Sequence, residues 1–211
     1  YFPDDNLWNH AEGLMQEALD ELGLPYVTAL DEAAFYGPKL DVQAKNVHGK
    51  EDTLFTAQMD FLLPQKFEME YVDDHGERKR PVMIHRSTIG CLERTFGFLI
   101  EHFGGAFPVW LSPTQVVVIP VSEKVNDYAS DIFNKLGGEN FRVELDSSGE
   151  TLGKKIRNSK LMKTPYLIII GEQEAASGKL TVESRDKGQL KDVVLEDFVR
   201  NLKEEIRDKK L

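Results

Sequence analysis

The chain has 211 residues, 41% hydrophobic and 29% charged, which is ordinary for a soluble protein with one large or two small domains. No apolar run approaches the length of a membrane span and no signal peptide is visible, so a membrane protein is excluded. The net charge of −10, taken over the whole chain, argues against a nucleic-acid partner. A single cysteine, Cys91, excludes an internal disulfide and predicts a cytoplasmic protein.

The charge is unevenly distributed. Residues 1–111 contain 9 Lys and Arg against 19 Asp and Glu, whereas residues 112–211 contain 17 of each. We therefore expect two domains, 1–111 and 112–211. Because the chain starts at Tyr1 without a methionine, we also expect it to be a fragment of a longer protein.

The first predicted element is an amphipathic helix. Asp4 or Asp5 can cap it, its apolar residues follow the 3.6-residue period, and Gly23 with Pro25 ends it. A short strand is predicted over residues 26–30. This helix has the pattern of a packing element and carries no catalytic group.

A turn at Gly37–Pro38 comes next, with Tyr36 and Lys39 on either side of it. Lys39 can neutralise a carboxylate or a phosphate, and Tyr36 offers a hydroxyl on a rigid ring. On pattern alone, a lysine beside a turn is usually a solvated surface residue, and this explanation of Lys39 is the favoured one.

Two paired strands are predicted over residues 40–47 and 51–61, joined by a turn at His48–Gly49. Alternation along the second strand places three polar residues on one face: Thr56, Gln58 and Asp60. Polar residues on a buried strand need partners. A substrate is one such partner, and a water-facing sheet surface is the alternative.

A second hairpin is predicted from strands at 67–72 and 78–84, and its second, buried strand leads to His85. A turn ending at Gly90 then starts a helix whose apolar stripe predicts anchoring against a core; the stripe is Leu92, Phe96, Leu99 and Phe103. Arg94 in the first turn, beside Gly90, indicates an anion or nucleotide-phosphate site.

Both residues also have a structural explanation. Arg94 can pair with Glu93 or Glu101 on a solvated helix face. His85 can be a hydrogen-bonded histidine of the core.

Three sequence blocks carry a family resemblance. The run HRSTIGCLER at 85–94 resembles motif 3 of the class II aminoacyl-tRNA synthetases. Together with PVMIH before it, AAFYGPKLD at 33–41 and QMDFLLP at 58–64, it makes almost the whole chain similar to the threonyl-tRNA synthetase family. The resemblance implies an α/β fold in which part of the antiparallel class II catalytic sheet precedes an α/β anticodon-binding domain.

The resemblance also implies an activity, threonine–tRNA ligation. Threonine is activated with ATP and Mg²⁺ to threonyl-adenylate, transferred to tRNA(Thr), and selected by Zn²⁺. Carried over to this chain, the catalytic residues are Lys39 and Arg94, and the zinc ligand is His85. The implied substrate-binding residues are Tyr36, Lys39, Thr56, Gln58, Ser87, Gly90, Cys91 and Arg94.

Several parts of the family's site are missing here. Thr53-Leu54-Phe55 stands where the family commonly has a glutamine and a Cys-Gly pair. The other two zinc ligands, the motif 2 arginine and the motif 1 dimer face have no counterpart. We therefore expect the chain alone to be inactive and to bind no zinc; ATP, Mg²⁺, Zn²⁺ and homodimerisation belong to the full-length parent.

In the second half, apolar strands alternate with helical patterns, which predicts a mainly parallel sheet covered on both faces. The predicted strands are 115–121, 141–145, 166–170 and 179–185, and the predicted helices are 124–136, 152–162 and 194–209. The region resembles the anticodon-binding domain shared by the threonyl, prolyl, histidyl and glycyl synthetases.

One segment, 151–163, has no acidic residue and five cations: Lys154, Lys155, Arg157, Lys160 and Lys163. Such a patch predicts contact with a phosphate backbone, and a solvated helix face is the alternative. By resemblance, LGKKIR contacts tRNA and Glu174 fits a base-reading position. Glu183 stands where many members have arginine, and Ser147-Ser148-Gly149 replaces a more basic loop. A non-catalytic tRNA-binding or interaction protein related to class II synthetases is the second hypothesis.

Overall fold

The computed structural model describes residues 1–211. It forms two compact units, Tyr1–Glu101 and His102–Leu211, which are described separately below. None of its helices combines the length and the apolar character that a bilayer crossing requires.

The first unit is built around a three-stranded antiparallel sheet in the order β1–β2–β5. In chain order its elements are α1 (Asp5–Glu21), β1 (Lys39–Lys45), β2 (Glu51–Asp60), α2 (Leu62–Lys66), β3 (Tyr71–Val72), β4 (Arg78–Lys79), β5 (Met83–Arg86) and α3 (Leu92–Phe103). The predicted β1–β2 hairpin is confirmed, with His48 exposed in its turn.

The start of α1 follows the expected capping chemistry. The Asp4 carboxylate accepts a hydrogen bond of 3.0 Å from the Leu7 backbone N–H, and Gly23 after the helix has a φ of +63°. The strand predicted over residues 26–30 is wrong, because the segment has no regular structure and Val27 is 93% exposed. A β-rich composition forms a strand only where a neighbouring strand supplies hydrogen bonds.

The second hairpin is much shorter than predicted. Its strands β3 and β4 have two residues each, and β5 pairs with β2 instead of continuing β4. Pro81, which has no N–H to donate, lies between β4 and β5 and interrupts the ladder. The helix α2 was not predicted.

The helix α3 has its predicted bounds, but its expected burial is wrong. None of its residues is buried, and Leu92 and Phe96 are 54% and 60% exposed. On β5, Ile84 is 65% exposed, so the expectation of a buried strand also fails. Apolar spacing identifies one side of an element, whereas burial needs a second element packed on that side.

The second unit is a five-stranded mixed sheet with helices on both faces. Its elements are β6 (Val116–Pro120), α4 (Asn126–Gly138), β7 (Val143–Leu145), α5 (Leu152–Leu161), β8 (Tyr166–Ile170), α6 (Glu172–Ser177), β9 (Leu180–Ser184), β10 (Gly188–Val193) and α7 (Leu195–Arg207). The strand order is β10–β9–β8–β6–β7, with β6 parallel to β7 and β8 and the other pairings antiparallel. The α/β fold class is thereby confirmed.

Alternation along β6 divides the core of this unit into two layers. Val116 and Val118 enter the larger cluster, which contains residues of α4 and α7. Val117 and Ile119 face the other way, against Leu152 and Ile156 of α5 in the smaller cluster. The elements α6 and β10 were not predicted; Ala175 of α6 and Val193 of β10 pack at the margin of the larger cluster, and the rest of β10 is exposed.

Gln115 is a buried polar residue that ties together the segment before β6. It is 1% exposed, its amide donates to the Val109 carbonyl at 3.0 Å, and its Oε1 accepts from the Arg142 N–H at 2.9 Å. We expect Gln115→Ala to lower the free energy of unfolding by about 1–3 kcal/mol, because the Arg142 backbone N–H loses its acceptor and the Val109 carbonyl loses one of its donors. Chemical denaturation of the chain would measure this.

The matched control is Gln189→Ala on β10, where the glutamine is exposed. It should change stability by less than about 0.5 kcal/mol. Equal losses in the two variants would contradict the role given to Gln115.

Candidate substrate and nucleic-acid sites

One face of the three-stranded sheet carries polar side chains from all three strands. The register pairs Lys39 with Gln58 and Gln58 with His85, so these residues form one row across the sheet. Asp41 pairs with Thr56 in the next row. Directly opposed residues share a face. We call this surface the polar sheet face; it consists of Lys39, Asp41, Thr56, Gln58, Asp60 and His85.

Asp41 is the ionic centre of the polar sheet face. Its carboxylate accepts from the Lys39 ammonium at 2.5 Å and from the Thr56 hydroxyl at 2.6 Å. Burial raises the pKa of Asp41, but the hydrogen bonds from Lys39 and Thr56 and the lysine charge outweigh it and leave the pKa below its ordinary value. Asp41 was not predicted as a site residue, although its position two residues after Lys39 on a strand places it on the same face.

Tyr36 joins the face from the preceding turn. Its hydroxyl donates to Oε1 of Gln58 at 2.8 Å. The turn is held against β2 by hydrogen bonds from the Met59 N–H to the Pro38 carbonyl and from the Phe61 N–H to the Tyr36 carbonyl. Gly37 permits this approach, since a Cβ there would lie 2.1 Å from the Met59 carbonyl oxygen.

The turn before α3 is packed on the same strand. Gly90 has a φ of +63°, and a Cβ there would lie 1.9 Å from the carbonyl oxygen of Leu54, so the space beside this glycine holds strand backbone. The exposed Arg94 donates to the Thr53 carbonyl at 3.1 Å. It forms an ion pair with neither Glu93 nor Glu101, the two partners that the sequence allowed.

The other residues expected in this turn have local roles. The Ser87 hydroxyl accepts from the Gly90 N–H at 2.8 Å and so stabilises the turn. The Cys91 thiol is exposed and lies 2.9 Å from a carboxylate oxygen of Glu93. A hydrogen bond from the thiol lowers the pKa of Glu93.

His85 stands at the end of the Lys39–Gln58–His85 row, 3.2 Å from Asp60. Zinc sites in proteins use at least three protein ligands. No three His, Cys, Asp or Glu side chains of this chain meet in such an arrangement. His85 and Asp60 therefore form a pair that no third such side chain joins.

The five cations of segment 151–163 do not form a single patch. Lys155 is 5% exposed, and its ammonium donates to the Asp146 carbonyl at 3.0 Å. Lys163 donates to the Gly104 carbonyl. Lys154 pairs with Glu150 at 2.7 Å. Two of the five cationic side chains, Lys155 and Lys163, thus donate to backbone carbonyls of the same unit, which a count of charges in the sequence does not reveal.

The remaining two cations also differ from each other. Lys160 pairs with Glu183 at 2.5 Å, whereas Arg157 is exposed and makes neither an ion pair nor a hydrogen bond. Lys154, Arg157 and Lys160 are spaced by three residues and lie along one side of α5. This side, which we call the α5 cationic side, is exposed to solvent, and Arg157 is the one of its three cations without an ion-pair partner.

Glu174 caps α6. Its two carboxylate oxygens accept from the Gly171 N–H at 2.9 Å and from the Thr181 hydroxyl at 2.7 Å. Burial raises the pKa of Glu174, but these hydrogen bonds outweigh it and hold the pKa below its ordinary value. Any base contact by Glu174 would thus use lone pairs beyond those already engaged.

Comparison with known proteins assigns the two halves separately. The family described as the tRNA synthetase class II core domain (G, H, P, S and T) matches residues 4–103. The anticodon binding domain family matches residues 115–205.

Individual relatives match almost the whole chain. A threonine–tRNA ligase of Clostridium botulinum is 51% identical over 99% of the chain, and one of Staphylococcus aureus is 47% identical over 100%. The chain spans about a third of the length of these relatives, 32% and 33%. Among solved structures, the RNA binding domain of threonyl-tRNA synthetase from Cryptosporidium parvum has a TM-score of 0.85 and 35% identity, over 97% of this chain and 52% of that one.

Proposed function

We propose, from the premise that the chain belongs to the class II aminoacyl-tRNA synthetases, that it is the C-terminal part of a threonine–tRNA ligase. In this proposal residues 1–111 complete the catalytic domain and residues 112–211 form the anticodon-binding domain. The parent enzyme would act in the cytoplasm as a homodimer on threonine, ATP and tRNA(Thr).

The observation that carries this proposal is the row Lys39–Gln58–His85, with Tyr36 hydrogen-bonded to the central residue Gln58 and the Arg94 turn packed on the same strand. It supplies a hydroxyl, an amide, an imidazole and two cations from separated parts of the chain. Such a set can hold an amino acid beside a phosphate, because cations stabilise the charge that develops when a carboxylate attacks phosphorus.

In the first proposed step, a threonine carboxylate oxygen attacks the α-phosphorus of ATP and pyrophosphate leaves. Arg94 and Lys39 would offset charge on the phosphates, while Tyr36, Thr56 and Gln58 would orient threonine. Ser87, Gly90 and Cys91 would contribute the turn that borders this pocket. In the parent, Mg²⁺ would neutralise phosphate charge, and Zn²⁺ held in part by His85 would distinguish the threonine hydroxyl from an isosteric methyl group.

The chain by itself would not catalyse this reaction, because the proposed site is incomplete. It contains one proposed zinc ligand, His85, and one proposed phosphate-binding arginine, Arg94. ATP–pyrophosphate exchange with threonine tests the proposal. We expect exchange from a full-length enzyme that carries these residues, and none from residues 1–211. Absence of threonine-dependent exchange in the full-length enzyme would contradict it.

A tRNA-binding module without catalytic activity is the second candidate. It is favoured by the second unit, which has its own continuous core and its own cationic helix side. This candidate predicts tRNA binding by the chain and no exchange in any longer form of the protein.

The α5 cationic side gives a prediction about tRNA binding. We expect Arg157→Ala to weaken the binding of tRNA to the chain and to lower the slope of log K against log salt concentration by about one, because one phosphate contact is lost. Lys154→Ala should act in the same direction but less strongly, since Lys154 already has Glu150 as a partner. Titrations at several salt concentrations would measure both.

Lys203→Ala on α7 is the matched control, since Lys203 is a surface lysine paired with Glu139. For Lys203→Ala, the slope of log K against log salt concentration should equal that of the unmodified chain. An unchanged slope in Arg157→Ala would remove the α5 cationic side from the proposed interface.

A further inference from the structure

Asp60 is the most enclosed charged group of the polar sheet face. Its side chain is 3% exposed, and its two oxygens have separate partners. Oδ1 accepts from the backbone N–H groups of Leu62 at 2.8 Å and Leu63 at 2.9 Å, at the start of α2. Oδ2 lies 3.2 Å from Nε2 of His85. The carboxylate is therefore fixed by backbone on one side and faces the imidazole with the other.

The two ring nitrogens of His85 have different surroundings. Its side chain is 40% exposed, yet the Nε2 atom is buried and makes no aligned hydrogen bond. Nδ1 has no partner in the protein and is not among the buried atoms, so it is open to solvent. A buried ring N–H without an acceptor costs about 1–3 kcal/mol. Asp60 Oδ2, at 3.2 Å, is the carboxylate oxygen that lies within hydrogen-bonding distance of this nitrogen.

We propose that Asp60 is a positioning residue that holds His85 in the Nε2–H tautomer and leaves the Nδ1 lone pair open on the polar sheet face. The backbone N–H groups of Leu62 and Leu63 hold the carboxylate in place, and its free oxygen Oδ2 accepts a hydrogen bond from a ring N–H but not from a ring lone pair. The consequence for ligand selection rests on the proposed function: Nδ1 is then the atom that His85 can offer to a metal or a substrate. The tautomer itself requires neither.

The test uses the chain itself, labelled with ¹⁵N-histidine and observed by NMR at alkaline pH, where imidazoles are neutral. The His85 signals are assigned by their loss in His85→Gln. We expect the Nε2–H pattern for His85 in the unmodified chain. Asp60→Asn keeps an acceptor for α2 but can present an amide N–H to Nε2, so the ratio of the Nε2–H to the Nδ1–H form should fall about tenfold or more.

Asp73→Asn is the matched control. Asp73 is also an enclosed carboxylate, with 6% of its side chain exposed, and it accepts from the backbone N–H groups of His75 and Glu77 in the β3–β4 turn. The ratio of the Nε2–H to the Nδ1–H form of His85 should stay unchanged in this variant. An unchanged ratio in Asp60→Asn, or an Nδ1–H tautomer in the unmodified chain, would overturn the proposal.

Should Asp60→Asn fail to fold, as judged by far-UV circular dichroism, the unmodified chain still decides, because its tautomer must be Nε2–H. The measurement uses no tRNA, ATP or threonine. A failure of the proposed ligase function in exchange assays is therefore distinguishable from a failure of this inference.

Discussion

Replacing Arg94 with alanine in an enzyme that carries this chain is expected to slow threonine-dependent ATP–pyrophosphate exchange by about a hundredfold or more. The expected loss comes from the charge that the guanidinium would stabilise on the reacting phosphate. Stability should hardly change, because Arg94 is exposed and makes one hydrogen bond to the Thr53 carbonyl. Exchange rates and thermal denaturation of the same samples would separate the two effects.

Arg78→Ala is the control for a generic loss of positive charge. Arg78 is an exposed arginine on β4, paired with Glu70 at 3.1 Å, and surface pairs of this kind contribute little to stability. This variant should retain normal exchange. Two outcomes in Arg94→Ala would count against its phosphate role: exchange at the normal rate, or a fall in activity that follows a fall in melting temperature.

Gly90→Ala is expected to lower the free energy of unfolding of the first unit by roughly 2–4 kcal/mol. Two effects add. The φ of +63° is unfavourable for a residue with a side chain, and the new Cβ would meet the Leu54 carbonyl oxygen at 1.9 Å. Because that oxygen belongs to β2 backbone, relief requires the turn to move away from the strand. Urea denaturation would measure the loss.

Gly97→Ala, one turn into α3, makes the same chemical change in open space, since nothing lies within 4 Å of the added Cβ. In a helix interior it should raise stability by about 0.5–1 kcal/mol. The two variants therefore have opposite expected signs. A neutral Gly90→Ala would show that the turn before α3 does not depend on contact with β2.

Helices and strands whose ends or burial depend on residues nearby in the chain were predictable from the sequence. The capping carboxylate of Asp4 and the glycine at position 23 delimit α1 through contacts within a few residues. The run Val116–Pro120 is buried in full, as its unbroken apolar composition indicated. The family was also predictable from the sequence, because the three blocks that carry the resemblance lie in the expected order. The comparisons with known proteins confirm the resemblance.

Errors arose where the outcome depends on a distant neighbour. Residues 26–30 have strand composition and no strand to pair with, and the apolar side of α3 has no covering element. Lys155 and Lys154 are adjacent in the sequence, yet one is buried against the Asp146 carbonyl and the other is exposed. Helical geometry turns consecutive residues to different sides, so composition alone overstated the basic patch.

The sequence by itself determined the family, the order of most helices and strands, and the polar residues available to a site, since these depend on local patterns and on residue identity. Only the tertiary structure decided which of those residues meet. The strand register joins Lys39, Gln58 and His85 in one row and brings Asp41 opposite Thr56, while Asp60 lies beside His85. Packing of the turn on β2 fills the space beside Gly90 with backbone. The physical reason is that register and packing are set by contacts between residues far apart in the chain, and no local pattern records them.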